Sequence, residues 1–368
     1  MWLFILFVPY NTEILPPLGK YLLPLSEGFT AWLKHALGLS WVRDSQIYSD
    51  SGGMQLLLLA FVPVSSLGTI LLCCFARNYD VAAALRSVAS YFLSYHLMSY
   101  GLAKVFKHQF YLPEPNTLFT PIGQLEKDIL YWTTMGVSRS YSLFLGGVEV
   151  LVSLLLLHKK TRFLGGLLAA ITFVQVLAIN VCFEIDVKLL SGFLLLLSLV
   201  IVAPDWRIFQ VLWGGGYAST ALPQIVSPFW KRSLHALVVL FILVEPLSAY
   251  FRAQNFNDDA AMRPHWQGAY QVICVDGGTS VLGDMQQLKR VFIHRKQYLI
   301  FQNKNDSLWD FELEMGHLSP KIQVKSSPDL RLTFEEKPDS LFLNWRENAQ
   351  THRLCLQRLN WKNLPVFR

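Results

Sequence analysis

Glu149 sits near the middle of an apolar run, Ser140–Leu157, long enough to lie across a bilayer. Crossing a hydrocarbon core of about 30 Å takes roughly 20 apolar residues, so a carboxylate in such a run lies deep. It costs at least ~2.5–3.5 kcal/mol there and therefore faces protein, water or a ligand. In Gly146-Gly147-Val148-Glu149 two glycines precede it, and small residues let a second helix approach closely. His96, Tyr100 and Lys104 recur every fourth residue, which puts them along one face of a helix. Lys104 is the natural cation for Glu149, since both are expected in the same half of the membrane. Asn180 and Glu184 lie one helical turn apart at the end of a further apolar run, and Asp186 and Lys188 open the next. These residues are the candidate ligand-binding positions; the chemistry open to them is holding a polar head group or handling a proton.

Each has a plainer reading. Lys104 and Tyr100 also fit a lysine that snorkels beside an aromatic belt. Glu149 fits a neutral acid hydrogen-bonded between helices, and Glu184, Asp186 and Lys188 fit a solvated turn. No Cys-x-x-Cys pair and no Cys/His spacing for zinc occurs, so neither a catalytic residue nor a metal ligand is assigned.

Hydropathy supplies the elements that must carry these residues. Apolar residues make up 52% of the chain and charged residues 16%, against about 25% charged in soluble domains. The expected fold is an α-helical polytopic membrane bundle over residues 1–251, followed by a small all-β domain over 252–368. Met54–Phe75, Val81–Ala103, Ser140–Leu157, Phe163–Phe183, Leu189–Ala203 and Leu234–Phe251 read as spans, with Trp2–Val8 a shorter one. Ile14–Trp41, with Pro16, Pro17 and Pro24, reads as an interfacial or re-entrant stretch. Lys and Arg in short loops set orientation. His158-Lys159-Lys160-Thr161-Arg162 is strongly basic and expected inside, whereas Glu184 to Lys188 is acid-rich and expected outside. That solution puts the connection Lys107–Arg139 and the C-terminal domain outside the cytoplasm of a bacterial inner membrane. It also accounts for the net charge of +6 without nucleic acid.

Short apolar or alternating runs fill the C-terminal part: Tyr270–Val275, Arg290–Arg295, Tyr298–Gln302, Trp309–Leu313, Ile322–Lys325, Leu330–Glu335, Leu341–Trp345 and Arg353–Gln357. Polar Gly, Asp, Asn, Ser and Pro clusters separate them, which predicts an antiparallel barrel or sandwich. No HExxH, GxSxG, Walker or EF-hand pattern occurs in it. Cys274 and Cys355 lie in the first and last of these runs, so they become neighbours if the strands close on themselves.

Tyr100-Gly101-Leu102-Ala103-Lys104, Gly146-Gly147-Val148-Glu149 and Asn180 with Asp186-Val187-Lys188 together resemble the DoxX-like family of bacterial membrane proteins. The likeness spans about residues 80–203. It implies a four-helix membrane core with polar positions at Lys104, Glu149 and Asn180. Some relatives are associated with quinone-linked oxidation of sulfur compounds, while this chain lacks a redox cysteine pair and adds further spans and a β-domain. Three functions stay open. The favoured one is a lipid or quinone-like hydrophobic ligand held in an outward-facing polar pocket. The others are a quinone-linked oxidoreductase subunit, and an assembly factor whose residues 252–368 dock an envelope protein partner.

Overall fold

The computed structural model describes residues 18–75, 81–205, 229–277, 279–280, 282–315, 321–324, 327–337, 340–347 and 350–367. The run Trp2–Val8 lies outside them. The helices are α1 (Leu18–Leu37), α2 (Gly52–Phe75), α3 (Val81–Val105), α4 (Pro115–Leu118), α5 (Lys127–Val137), α6 (Arg139–Leu157), α7 (Arg162–Cys182), α8 (Lys188–Val202) and α9 (Phe229–Ala253). The chain forms two compact units, Met1–Gln109 with Ser140–Asn257, and Phe110–Arg139 with Asp258–Arg368. The connection that sequence placed simply between spans is thus a structural part of the β unit.

Among the described residues, five segments are long and apolar enough to cross a membrane: Gly52–Leu71, Arg139–Leu157, Arg162–Cys182, Lys188–Asp205 and Arg232–Ala260. This is an α-helical membrane bundle. Of Ile14–Trp41, expected as an interfacial or re-entrant stretch, residues 14–17 lie outside the described residues and Leu18–Leu37 forms α1, with Pro24 inside it. α3 is not among the five, although it is 25 residues long. Its position explains its lower hydropathy. Ala89, Leu93 and Leu97 of α3 share one buried core with Val152 and Leu156 of α6, Ala169 and Phe173 of α7, and Leu194, Leu197 and Ile201 of α8. Met98 and Leu102, on another side of α3, pack with Ile242 of α9. A helix clad in other helices needs no lipid-facing stripe, so Ser90, Ser94 and His96 are buried on it with their polar atoms turned to protein.

The second unit is a curled antiparallel sheet. Its main strands are β1 (Gly268–Asp276), β4 (Leu288–Ile293), β5 (Tyr298–Asn303), β6 (Leu308–Met315), β7 (Lys321–Val324), β8 (Ser327–Lys337), β9 (Ser340–Glu347) and β10 (Gln350–Arg358). Two short strands, β2 (Thr279–Ser280) and β3 (Gly283–Asp284), form a separate hairpin. β1 pairs with both β4 and β10, which closes the sheet into a barrel. Each of the eight main strands overlaps one of the apolar runs read from the sequence. Alternation holds where one face meets the interior, as at Leu341, Leu343 and Trp345. β5 departs from it, with Leu299, Ile300, Phe301 and Gln302 all buried. The outer face of β4 and β5 is covered by Phe119, which stacks on Phe292, and Gln302 Nε2 donates to the Phe119 carbonyl at 3.1 Å. Cys274 and Cys355 are register partners on β1 and β10 and form a disulfide, with their Cα atoms 4.9 Å apart.

Candidate functional site in the helical unit

Two glycines build the site. α3 and α6 run antiparallel and cross where Gly101 meets Gly146. A Cβ built on Gly146 would lie 2.5 Å from the Gly101 carbonyl oxygen, and one on Gly101 would lie 2.8 Å from that of Gly146. Only glycine at both positions permits backbones this close. Two turns from the crossing, Ser94 and Ser153 lock the same pair of helices. Each hydroxyl donates to the other's carbonyl, at 3.0 and 2.8 Å. Helical side chains lean toward their own N-terminus, so on antiparallel helices Lys104 and Glu149 lean toward each other.

They meet. Lys104 Nζ donates to Glu149 Oε1 at 2.8 Å and to Oε2 at 2.7 Å. Both side chains are under one-tenth exposed. The Tyr100 ring lies 5.7 Å from the ammonium, and His96 follows with its ring 5.9 Å from Tyr100 and 4.5 Å from Phe92. The face of α3 that sequence marked thus carries an aromatic column ending on a two-armed ion pair. A buried pair of this kind offers a donor and an acceptor side by side in apolar surroundings.

The remaining candidates form a second group. Asn180 is buried and donates to Ser191 Oγ at 3.2 Å, tying α7 to α8. Glu184 is exposed and has φ +59°, the left-handed conformation of the turn between these helices. Lys188 lies 3.4 Å from Asp186 and 3.6 Å from Asp50. Asp50 also accepts from the backbone N–H groups of Lys188 and Leu189 at 2.8 and 2.9 Å. A carboxylate there satisfies orphan donors at the start of α8 and complements its dipole. Lys188 therefore belongs to a helix cap, which the local charge pattern could not show, because Asp50 comes from 138 residues away.

A second intramembrane carboxylate escaped the sequence reading. Glu245 on α9 is 1% exposed and accepts from Tyr95 Oη at 2.8 Å. The rule that singled out Glu149 applies to it equally, since it stands within the apolar run Leu234–Phe251. Nearer the other end of α3, Tyr91 Oη lies 2.6 Å from His235 Nδ1. Arg162, counted in sequence as a loop charge, is buried, whereas His158, Lys159 and Lys160 are exposed. Among the described residues no group of His, Cys, Asp and Glu could hold a metal ion.

No protein-family model matches the chain, and no solved structure matches it. An uncharacterised protein, YwoB of Bacillus subtilis (strain 168), is 36% identical over 128 residues, covering 32% of this chain and 75% of the relative. At that identity and coverage the bundle-bearing chain described above belongs to the YwoB family.

Proposed function

We propose that the helical unit holds the polar head of an apolar ligand of the lipid or quinone class at Lys104 and Glu149. The observation that carries this reading is the two-armed ion pair inside an apolar bundle, flanked by Tyr100 and His96. Burying two charges costs more than an apolar contact of equal volume would, so such a pair is weak evidence for a purely stabilising role. A head group bearing carbonyl or hydroxyl oxygens exchanges for one arm of the pair and stays hydrogen-bonded. The shared core of α3, α6, α7 and α8 supports reading the chain as DoxX-related. Mass spectrometry of small molecules retained by the gently purified protein tests the proposal. A lipid or quinone held by the native chain and lost from Glu149→Gln is the expected result. Equal retention by both would sink the ligand role.

The bacterial inner membrane, with residues 252–368 outside the cytoplasm, is the orientation proposed. α3 runs antiparallel to α6 and parallel to α9, as the contacts Tyr91–His235, Phe106–Tyr250 and His108–Asn255 show. The chain therefore leaves the bundle at Gln109, returns at Ser140 and leaves again at Asn257, all at one end. The exposed basic turn at His158 to Lys160 caps the opposite end, which supports placing that end inside. The Cys274–Cys355 disulfide fits an oxidising compartment for the β unit. Cysteine substitutions at exposed Lys160 and Lys362 should label with a membrane-impermeant reagent only at Lys362 in intact cells; labelling only at Lys160 would reverse the orientation.

A further inference from the structure

The β unit contains a cavity of about 520 Å³, within the range of roughly 300–1,000 Å³ usual for small-molecule sites. Glu114, Asp259, Arg263 and Lys362 line it, two carboxylates and two cations. Trp361 and Phe367 form an aromatic corner on one side, their rings 6.1 Å apart and 71° from parallel. Leu112 and Val366 add apolar wall.

A rigid salt-bridge cluster forms the floor. Glu114 is 6% exposed; Arg295 Nε lies 3.2 Å from its Oε1, and Gln267 Nε2 donates to its Oε2 at 3.1 Å. Arg295 also pairs with Asp258 and stacks on Tyr111, with its guanidinium carbon 3.5 Å from the ring centre. Arg263 reaches the same Asp258 carboxylate at 3.1 Å. Burial pushes the Glu114 carboxyl above its usual range, against the pull of Arg295 and then Gln267. His294, 3.9 Å from Glu114, is held down at about 4 by burial, with Arg295, Lys296 and Arg263 adding to it. Its Nδ1 accepts from the Lys296 N–H at 3.1 Å, as a neutral ring does. Asp259 Oδ1 accepts from the Leu112 N–H at 2.7 Å, which fixes that carboxylate at the wall.

Two features point to the ligand. The lining carries both signs in equal number, so neither a simple anion nor a simple cation meets a matching field. At the rim, the ammonium of Lys362 lies 5.6 Å from the Trp361 ring centre, so this aromatic face already receives a cation. Lys362 pairs with no carboxylate among the described residues. We propose that the cavity binds a zwitterion, its ammonium toward Glu114, Asp259 and the Trp361–Phe367 corner and its anionic group toward Lys362 and Arg263. A phospholipid head of the phosphoethanolamine type and a free solute of the same chemistry share these features. The site is independent of Lys104 and Glu149, and neither proposal stands or falls with the other.

Calorimetry on the full chain in detergent tests it, with glycerophosphoethanolamine as the soluble probe. That compound should bind at least about tenfold more tightly than phosphate or ethanolamine alone, and Lys362→Glu should weaken it about tenfold. Lys362 is exposed, so this variant leaves the fold intact; Glu114→Gln, checked by thermal unfolding, gives the second reading. Competition by nanodiscs of phosphatidylethanolamine but not phosphatidylglycerol assigns the ligand to a lipid head. Binding of the soluble probe without such competition assigns it to a free solute, and either result supports a zwitterion site. Equal binding of phosphate or ethanolamine alone, no loss in Lys362→Glu, or binding of neither the soluble nor the lipid form would overturn it.

Discussion

Lys104→Met, with Glu149 left in place, will cost the bundle about 3–5 kcal/mol, because the carboxylate then stays buried without its cation. Lys104 supplies a hydrogen bond to each Glu149 oxygen, at 2.8 and 2.7 Å, so one substitution removes both. Lys104→Met combined with Glu149→Leu will recover most of that loss, since two apolar side chains of similar volume suit the core better than one stranded charge. Denaturant unfolding in a fixed detergent measures both, and the coupling between the two sites follows from the double-mutant cycle. Near-additive losses would mean that the pair does not act as a unit. The cycle also separates stability from function. A double variant that folds well yet retains no ligand would show the pair to be the binding element; one that folds well and retains it would leave the pair a helix clamp.

Adjacent glycines on α6 will respond in opposite directions. Gly146→Val will destabilise the bundle by about 1–3 kcal/mol, the usual range for overpacking. The obstacle is backbone: the new Cβ would lie 2.5 Å from the Gly101 carbonyl oxygen and 3.0 Å from Lys104 Cβ, so the helices must part. Separation there also moves Lys104 from Glu149, and ligand retention should fall with stability. Gly147→Ala meets nothing within 4 Å and will stabilise by roughly 0.5–1 kcal/mol, the difference between glycine and alanine in a helix interior. Thermal unfolding of the two variants side by side decides the matter. Loss of stability in both would show that the glycines serve helix flexibility rather than a crossing.

Much of the architecture could be read from residue types alone. Long apolar runs with few charges allow only spanning helices, and short alternating runs between turn residues allow only a sheet; these are local patterns with a fixed period. The pairing of Lys104 with Glu149 was legible for the same reason, since an isolated intramembrane charge demands a partner and few were on offer. The same rule applies to Glu245, whose acceptance from Tyr95 ties α3 to α9.

Residue types and their spacing carried the division into a membrane bundle and a β-domain, the main strands, and the pairing of Lys104 with Glu149. Packing between distant segments settled four other things. It set α3 between α6, α8 and α9, where Ser94, Tyr95 and Lys104 find hydrogen-bond partners on α6 and α9. It assigned Lys188 to a cap completed by Asp50, and residues 110–139 to the β unit. It brought Glu114 together with Arg295 and Asp259, far apart in the chain, in one unit with a lined cavity. Periodicity reports which face of an element is apolar; the partner that covers that face is chosen by packing between distant segments, and no local pattern encodes it.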